Sequence, residues 1–319
     1  MANHCSPPTV TLLNDELLRA WPLPAPSGVG DKEDRGRVLV IAGSREMPGA
    51  VILAATAALR AGAGKLTIAT GESVASLVAL ATPEARVIPL PETPGGGLAA
   101  SAADRMEALG CEFDAVLVGP GMLDERAACE FVVALLGTIG SAKVVLDAAA
   151  MGVVRHHHSS GHDNESVQHG ESSFGGKYRF ATPALLTPHA GEMAHLTSVD
   201  KESVRVNPIA AAQSAALRWN GVVALKGAVT HIAAPDGRIW RHEGGNVGLA
   251  ISGSGDTLSG LMVGFAARGA SLEQAAAWGV TVHARAGEQL AARLGTLGYL
   301  AREIAAEVPA LLDALAPRS

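Results

Sequence analysis

From Arg37 onward the chain alternates short, continuous apolar runs with longer stretches rich in Ala and Leu. A run such as VLVIAG (38–43), uninterrupted by polar residues and closed by glycine, suits a strand buried on both faces, as strands of a parallel sheet are. The theme returns as KLTIAT (65–70), RVIPL (86–90), AVLVGPG (115–121) and KVVLDA (143–148). Between the first two lies GAVILAATAALRAGAG, where Val51, Ala55, Ala58 and Leu59 recur at helical spacing and Gly62 or Gly64 supplies the stop. Its small side chains would let that helix lie close to the sheet. Repeated βα units of this kind predict an α/β fold, a mostly parallel central sheet flanked by helices.

The second half adds a different pattern. ALLTPHAGE (184–192) reads as a strand running into a turn and a helix. VVALKGAVTHIAAPDGRIWRH (222–242) reads as three short strands, with Pro235-Asp236-Gly237 making a tight hairpin turn, so a small antiparallel extension of the sheet is expected. A Gly-rich loop then enters a helix near residue 254, Ser271-Leu272-Glu273-Gln274 has the form of a capping box, and Tyr299 to Leu315 closes as one more helix. Two segments break the rhythm. Residues 155–177 carry almost nothing apolar and read as an exposed insertion, whose adjacent His156, His157 and His158 preset no metal geometry. Residues 1–30, with Pro7, Pro8, Pro22, Pro24 and Pro26, read as an extended N-terminal arm that packs on a neighbour. No repeat or linker divides the rest, so residues 31–319 are expected to form one domain.

Composition narrows the function. A chain of 319 residues buries roughly three quarters of its unfolded surface, so it needs neither disulfide nor structural metal to hold a core. Its 25 basic and 31 acidic residues give a net charge of −6, which offers no footprint for nucleic acid or an anionic membrane. Cys5, Cys111 and Cys129 form neither an even set nor a CxxC pair. The N-terminus lacks a signal-peptide pattern, and no apolar run approaches the ~20 residues that span a bilayer. A soluble, cytoplasmic protein with reduced thiols is expected.

The sharpest candidate chemistry is Gly253-Ser254-Gly255-Asp256 running into an apolar helix. A helix start leaves N–H groups unpaired and carries positive partial charge, so glycines there admit an anion such as phosphate to the main chain. Asp256 on the first turn would be kept ionised by the macrodipole, either as a plain cap or as the group that takes a proton from an attacking hydroxyl. Lys226-Gly227-Ala228-Val229-Thr230 joins two predicted strands and offers backbone, hydroxyl and positive charge to a nucleotide. No Walker loop occurs; GSREMPG (43–49) lacks its lysine. His189, in Thr187-Pro188-His189-Ala190-Gly191-Glu192, stands at a strand's carboxyl end, as do Gly119-Pro120-Gly121 and Gly43 with Gly49-Ala50, and there open α/β sheets place their ligands.

Taken together, GPG (119–121), LDA (146–148), LTPHAGE (186–192), LKG (225–227) and GSGD (253–256) resemble, in order and distance, the ADP/ATP-dependent NAD(P)H-hydrate dehydratases, which have a ribokinase-like fold. The resemblance covers roughly residues 30 to 315, and TPHxGE is its more specific marker. It implies a stand-alone repair enzyme in which a nucleotide phosphorylates the ring hydroxyl of hydrated NADH or NADPH and loss of phosphate restores the dihydronicotinamide. It further implies Asp256 as the base and Gly253, Ser254 and Gly255 as the anion hole. Lys226, Gly227, Ala228, Val229, Thr230 and Gly255 would contact the adenine nucleotide, and Ala50, Gly121, His189 and Asp256 the hydrated dinucleotide. ADP or ATP is the implied phosphoryl donor, Mg²⁺ the implied metal with no ligands named, and a homo-oligomer, often a tetramer, the implied assembly. A Asp at a helix start should be a weak base, so proton transfer would come late. The loop 246–256 departs from the family's usual NPGMATGGTGD, with Ile251 and Ser252 for a Thr and a Gly; Val229 stands where His is common and Ala149 where Asp is usual. A ribokinase-like small-molecule kinase, such as a hydroxyethylthiazole kinase, and a non-catalytic nucleotide-binding relative are the alternatives.

Overall fold

The structure is a computed structural model and describes residues 9–25, 31–108, 112–155 and 178–316. Cys5, Cys111 and residues 156–177 of the expected insertion lie outside the described residues. In chain order the elements are β1 (Val10–Leu12), α1 (Asp15–Ala20), β2 (Arg37–Ile41), α2 (Pro48–Arg60), β3 (Lys65–Gly71), α3 (Ala75–Ala81), β4 (Arg86–Leu90), α4 (Ala102–Ala108), β5 (Ala115–Val118), α5 (Glu125–Leu136) and β6 (Lys143–Leu146). After a 3-10 segment (Ala148–Arg155) follow β7 (Ala184–Leu186), α6 (Ala190–Thr197), α7 (Lys201–Val206), α8 (Pro208–Trp219), β8 (Val222–Leu225), β9 (Val229–Ala233), β10 (Ile239–Glu243), α9 (Ser254–Ala267), α10 (Leu272–Leu294) and α11 (Ala301–Leu315).

These ten strands make one sheet in the order β1-β10-β9-β8-β7-β6-β5-β2-β3-β4. Only β9 runs antiparallel to its neighbours, which is the expected extension. The uninterrupted apolar runs follow from burial on both faces. Along β2, Val38 and Val40 enter one core with α2, α9 and α10, while Leu39 and Ile41 enter the other with α5 and α8. Alanine in α2 serves helix packing more than sheet packing. A Cβ on Gly260 of α9 would lie 2.2 Å from the Ala54 carbonyl oxygen, and one on Gly264 would lie 2.6 Å from that of Ala58. The two backbones touch, and this contact fixes the start of α9 relative to β2.

The N-terminal expectation needs correction. Within residues 9–25 the chain forms β1, parallel to β10 with Val10 opposite Ile239, and α1, so this part packs on its own domain rather than extending to a neighbour. Trp21 stacks on Trp240 with ring centroids 5.8 Å apart. The Gln274 amide donates to the carbonyls of Trp21 (3.1 Å) and Pro22 (2.8 Å), and the Trp278 indole donates to Trp21 (2.9 Å). The physical reason is that a Pro-rich segment lacks donors while its carbonyls remain, so side chains of α10 satisfy them. For the same reason the capping box is only half formed: Ser271 Oγ accepts from the Gln274 N–H, but the Gln274 side chain is spent on residues 21 and 22. No helix among the described residues is long and apolar enough to cross a membrane.

Candidate active site

β2 pairs with β5, and from that point the chain builds outward in both directions, so a crevice opens over the carboxyl ends of these two strands. Ala50, in the first turn of α2, and Gly121, just past β5, lie against each other at this edge; a Cβ on Gly121 would lie 2.5 Å from that of Ala50. Gly119 has φ of +129°, and a Cβ there would lie 1.8 Å from the Asp147 carbonyl oxygen. Only glycine lets the exit of β5 lie against the exit of β6, and Asp147 is thereby brought to the crevice.

Asp147 is 3% exposed and accepts hydrogen bonds from the Thr187 hydroxyl (2.7 Å) and the Lys226 ammonium (3.3 Å). Within the LDA motif the sequence pattern assigns Asp147 no role. Its signal was nonetheless present: it is the sole charged residue closing the apolar run of β6, at the same sheet edge as the other loops. Lys226 is anchored from below, its N–H donating to the Pro188 carbonyl (2.8 Å), and its Nζ lies 3.9 Å from Glu192 Oε2. Burial alone would lower this ammonium, but Asp147, Glu192 and Asp256 outweigh burial and hold it above its ordinary value. It faces the glycine turn: a Cβ on Gly255 would lie 3.6 Å from Lys226 Nζ.

The start of α9 is open. Gly253 adopts φ of +87° at the N-cap with no side-chain cap, as a residue without Cβ does readily. The N–H groups of Gly255 and Asp256 find no acceptor among the described residues, so they remain directed donors for an anion. Ser254, expected in the anion hole, is otherwise engaged: its N–H donates to the Ile251 carbonyl (3.3 Å). Its hydroxyl is turned inward, 3.1 Å from His283 Nε2, and buried His283 is pushed down to about 4 and is therefore neutral. Asp256 differs from the sequence expectation of a weak base. Burial, reinforced by the negative charge of Asp147 and opposed by Lys226, pushes its carboxyl up to about 6. Desolvation outweighs the macrodipole here, since a dipole contributes less than about 2 kcal/mol and burial of a charge more.

A cavity of about 750 Å³ runs from this turn along the hairpin, lined by Lys226, Gly227, Ala228 and Thr230 on one side and by Gly255, Ile251, Leu249 and Val280 on another. On a strand, neighbours point to opposite sides, and the Val229 side chain lines a second, adjoining cavity of about 800 Å³ with His231, which Lys226, Gly227 and Ala228 also border. His189 borders both cavities. Its Nδ1 accepts from the N–H groups of Gly191 (3.0 Å) and Glu192 (3.1 Å), and Glu192 Oε2 accepts in return from the His189 N–H (2.8 Å). The histidine thus caps α6, which sequence reading did not foresee, and leaves Nε2 on an exposed face. The structure therefore brings Gly255, Asp256 and His189 close to Lys226, while Gly253 turns toward Leu53 and Ala301, and Ala50 and Gly121 meet each other at the same sheet edge.

The sequence over residues 38–310 matches the profile of the NAD(P)H-hydrate dehydratase family. The chain is 46% identical over 308 residues to the ADP-dependent (S)-NAD(P)H-hydrate dehydratase of Xanthomonas campestris pv. campestris, covering 97% of this chain and 98% of that one. It is 35% identical over 299 residues to a bifunctional NAD(P)H-hydrate repair enzyme of Moorella thermoacetica, of which it spans 53%. Among solved structures, the ADP/ATP-dependent NAD(P)H-hydrate dehydratase of Bacillus subtilis, co-crystallised with ATP and Mg²⁺, superposes with a TM-score of 0.79 at 28% identity, covering 96% of this chain and 99% of that one. A ribokinase-like protein of Enterococcus faecalis, at 23% identity and a TM-score of 0.78, shares the fold. The resemblance drawn from five short motifs thus holds over most of the chain, which belongs to the NAD(P)H-hydrate dehydratase family.

Proposed function

We propose that this chain dehydrates hydrated NADH and NADPH, converting ADP to AMP and phosphate as it does so. The observation that carries the reading is the open start of α9, where uncapped N–H groups, a half-buried lysine and a carboxylate of raised basicity meet at the mouth of a nucleotide-sized cavity. The nucleotide occupies that cavity with its terminal phosphoryl group on the N–H groups of Gly255 and Asp256, and Lys226 balances its charge. The hydrated ring lies across the crevice, over Ala50 and Gly121, within reach of His189. Asp256 accepts the proton of the ring hydroxyl as that oxygen bonds to phosphorus and the bond to the departing AMP oxygen breaks. The ring carbon–oxygen bond then breaks with its electron pair leaving on phosphate, and the adjacent carbon loses a proton to restore the double bond. Phosphate leaves far more readily than hydroxide, which is why a nucleotide is consumed. With a carboxyl near 6, Asp256 is ionised at neutral pH and a better proton acceptor than an ordinary aspartate, so transfer need not await full bonding to phosphorus.

ADP as donor is supported by the name of the Xanthomonas relative. Among the described residues no group of three metal-ligating side chains forms a cage, and Asp147 is occupied by Thr187 and Lys226. This donor set fits Mg²⁺ carried chiefly on the nucleotide phosphates, where the ion would neutralise phosphoryl charge. The homo-oligomer implied by the resemblance belongs to the proposal and is read by light scattering. The deciding experiment gives purified protein hydrated NADH with ADP or ATP in turn. Recovery of reduced-nicotinamide absorbance with phosphate release supports the reading. Accumulation of a stable phosphorylated product would support the kinase alternative, and nucleotide binding without turnover the non-catalytic one.

A further inference from the structure

The 800 Å³ cavity on the far side of the Lys226–Val229 turn has no part in the steps above. Its character is cationic: Lys201, Arg205 and Arg241 line it with the buried His231, and no Asp or Glu is among its lining residues. Two of the cations come from α7, where Lys201 and Arg205 stand one turn apart on the same face. That placement does nothing for the helix. Like charges at this spacing repel, and a lysine in the first turn opposes the macrodipole. Lys201 has no ion partner among the described residues, whereas Arg205 lies 3.7 Å from Glu202 and Arg241 pairs with Glu243 on the rim. The rest of the lining is apolar, including Val204, Val206 and Ile209, and Val206 is 67% exposed.

The cavity is continuous with the site through His189 and Lys226, and Lys201 Cε approaches the first turn of α6, 3.8 Å from where a Gly191 Cβ would be. A second hollow also reaches His189, of about 360 Å³, but Glu125 and Glu192 line it and would repel a phosphate. Of the two routes out of the crevice beside His189, charge favours one. The geometry points to this cavity as the subsite for the remote, phosphorylated adenosine end of the dinucleotide, with Lys201 and Arg205 contacting the ribose phosphate that distinguishes NADPH hydrate from NADH hydrate. The inference rests on the proposed substrate, since it deepens that reading. A phosphate monoester carries nearly two charges at neutral pH, so two exposed cations should discriminate for it measurably, and more so at low salt.

The test uses the intact protein and the double variant Lys201→Gln/Arg205→Gln, both positions being exposed so that folding is retained. Binding of ADP-ribose and of ADP-ribose 2′-phosphate is measured by calorimetry, and KM and kcat for both hydrates are measured in parallel. Wild-type protein is expected to bind the 2′-phosphate form about tenfold more tightly, and the variant to lose that preference. KM for NADPH hydrate should rise about tenfold in the variant, with kcat and the KM for NADH hydrate little changed. Equal binding of the two probes by wild type, or a preference that survives the double substitution, would overturn the subsite. A rise in the KM for ADP instead would overturn it too, by assigning the cavity to the nucleotide. If wild-type protein turns over neither hydrate, the proposed function fails, while the two binding probes still judge the cavity.

Discussion

Two turns at the same sheet edge run into helices, and they are finished in opposite ways. Ahead of α6, His189 and Glu192 satisfy each other's backbone N–H groups, so that helix start is closed. Ahead of α9, Gly253 offers no side chain and the following N–H groups stay free. A closed start is a structural joint; an open one beside a half-buried cation is a place for an anion to land. The contrast also explains how one histidine serves two ends, Nδ1 holding the turn while Nε2 faces outward.

Removing the carboxylate at the open end should have the largest effect. Asp256→Asn is expected to lower kcat by about a thousandfold in the absorbance-recovery assay, the range typical of a lost general base. The same variant should be more stable than wild type at pH 8. Because the folded-state carboxyl is raised from 3.8 to about 6, the protonated form is favoured on folding; that stability is full below about pH 4 and is lost as pH rises through 6. Relief of the ionised carboxylate is worth roughly 1–3 kcal/mol, read as a higher Tm at pH 8 but not at pH 4.

Blocking the open N–H groups comes next. Gly255→Ala places a methyl at ordinary contact distance from Lys226 Nζ, so folding should survive, while the KM for nucleotide rises about a hundredfold as the phosphate is pushed off the backbone. A steady-state titration with ADP reads this, and unchanged KM would mean that the phosphate sits elsewhere. Smaller still is the effect on pH dependence. The acidic limb of kcat/KM should fall near pH 6 in wild type, and Asp147→Asn, which removes the like charge while keeping hydrogen-bonding atoms, should move it toward the ordinary carboxylate range. At the closed turn the expected change is smallest. His189→Asn keeps a capping side chain and should cost little stability, whereas His189→Ala should cost about 1 kcal/mol in a denaturant titration.

The strands were legible because each is buried on both faces and therefore written as an unbroken apolar run. The glycine turn was legible because an open helix start has few ways to be spelled. The arm was misread, since prolines announce extended backbone but not what will accept their free carbonyls; Gln274 and Trp278 lie some 250 residues away in sequence. That Val229 faces the second cavity was not legible, because a five-residue motif does not say which of its side chains points to which side of a strand.

By itself, then, the sequence determined the parallel sheet, the loops at its carboxyl edge and the chemistry they could hold, because periodicity and glycine placement act locally. Tertiary structure alone decided that Asp147 stands between Thr187 and Lys226, that Asp256 is desolvated enough to be a useful base, and that α7 turns two cations toward one cavity. Those outcomes depend on distances between residues remote in the chain, and on water excluded by neighbours that no local pattern names.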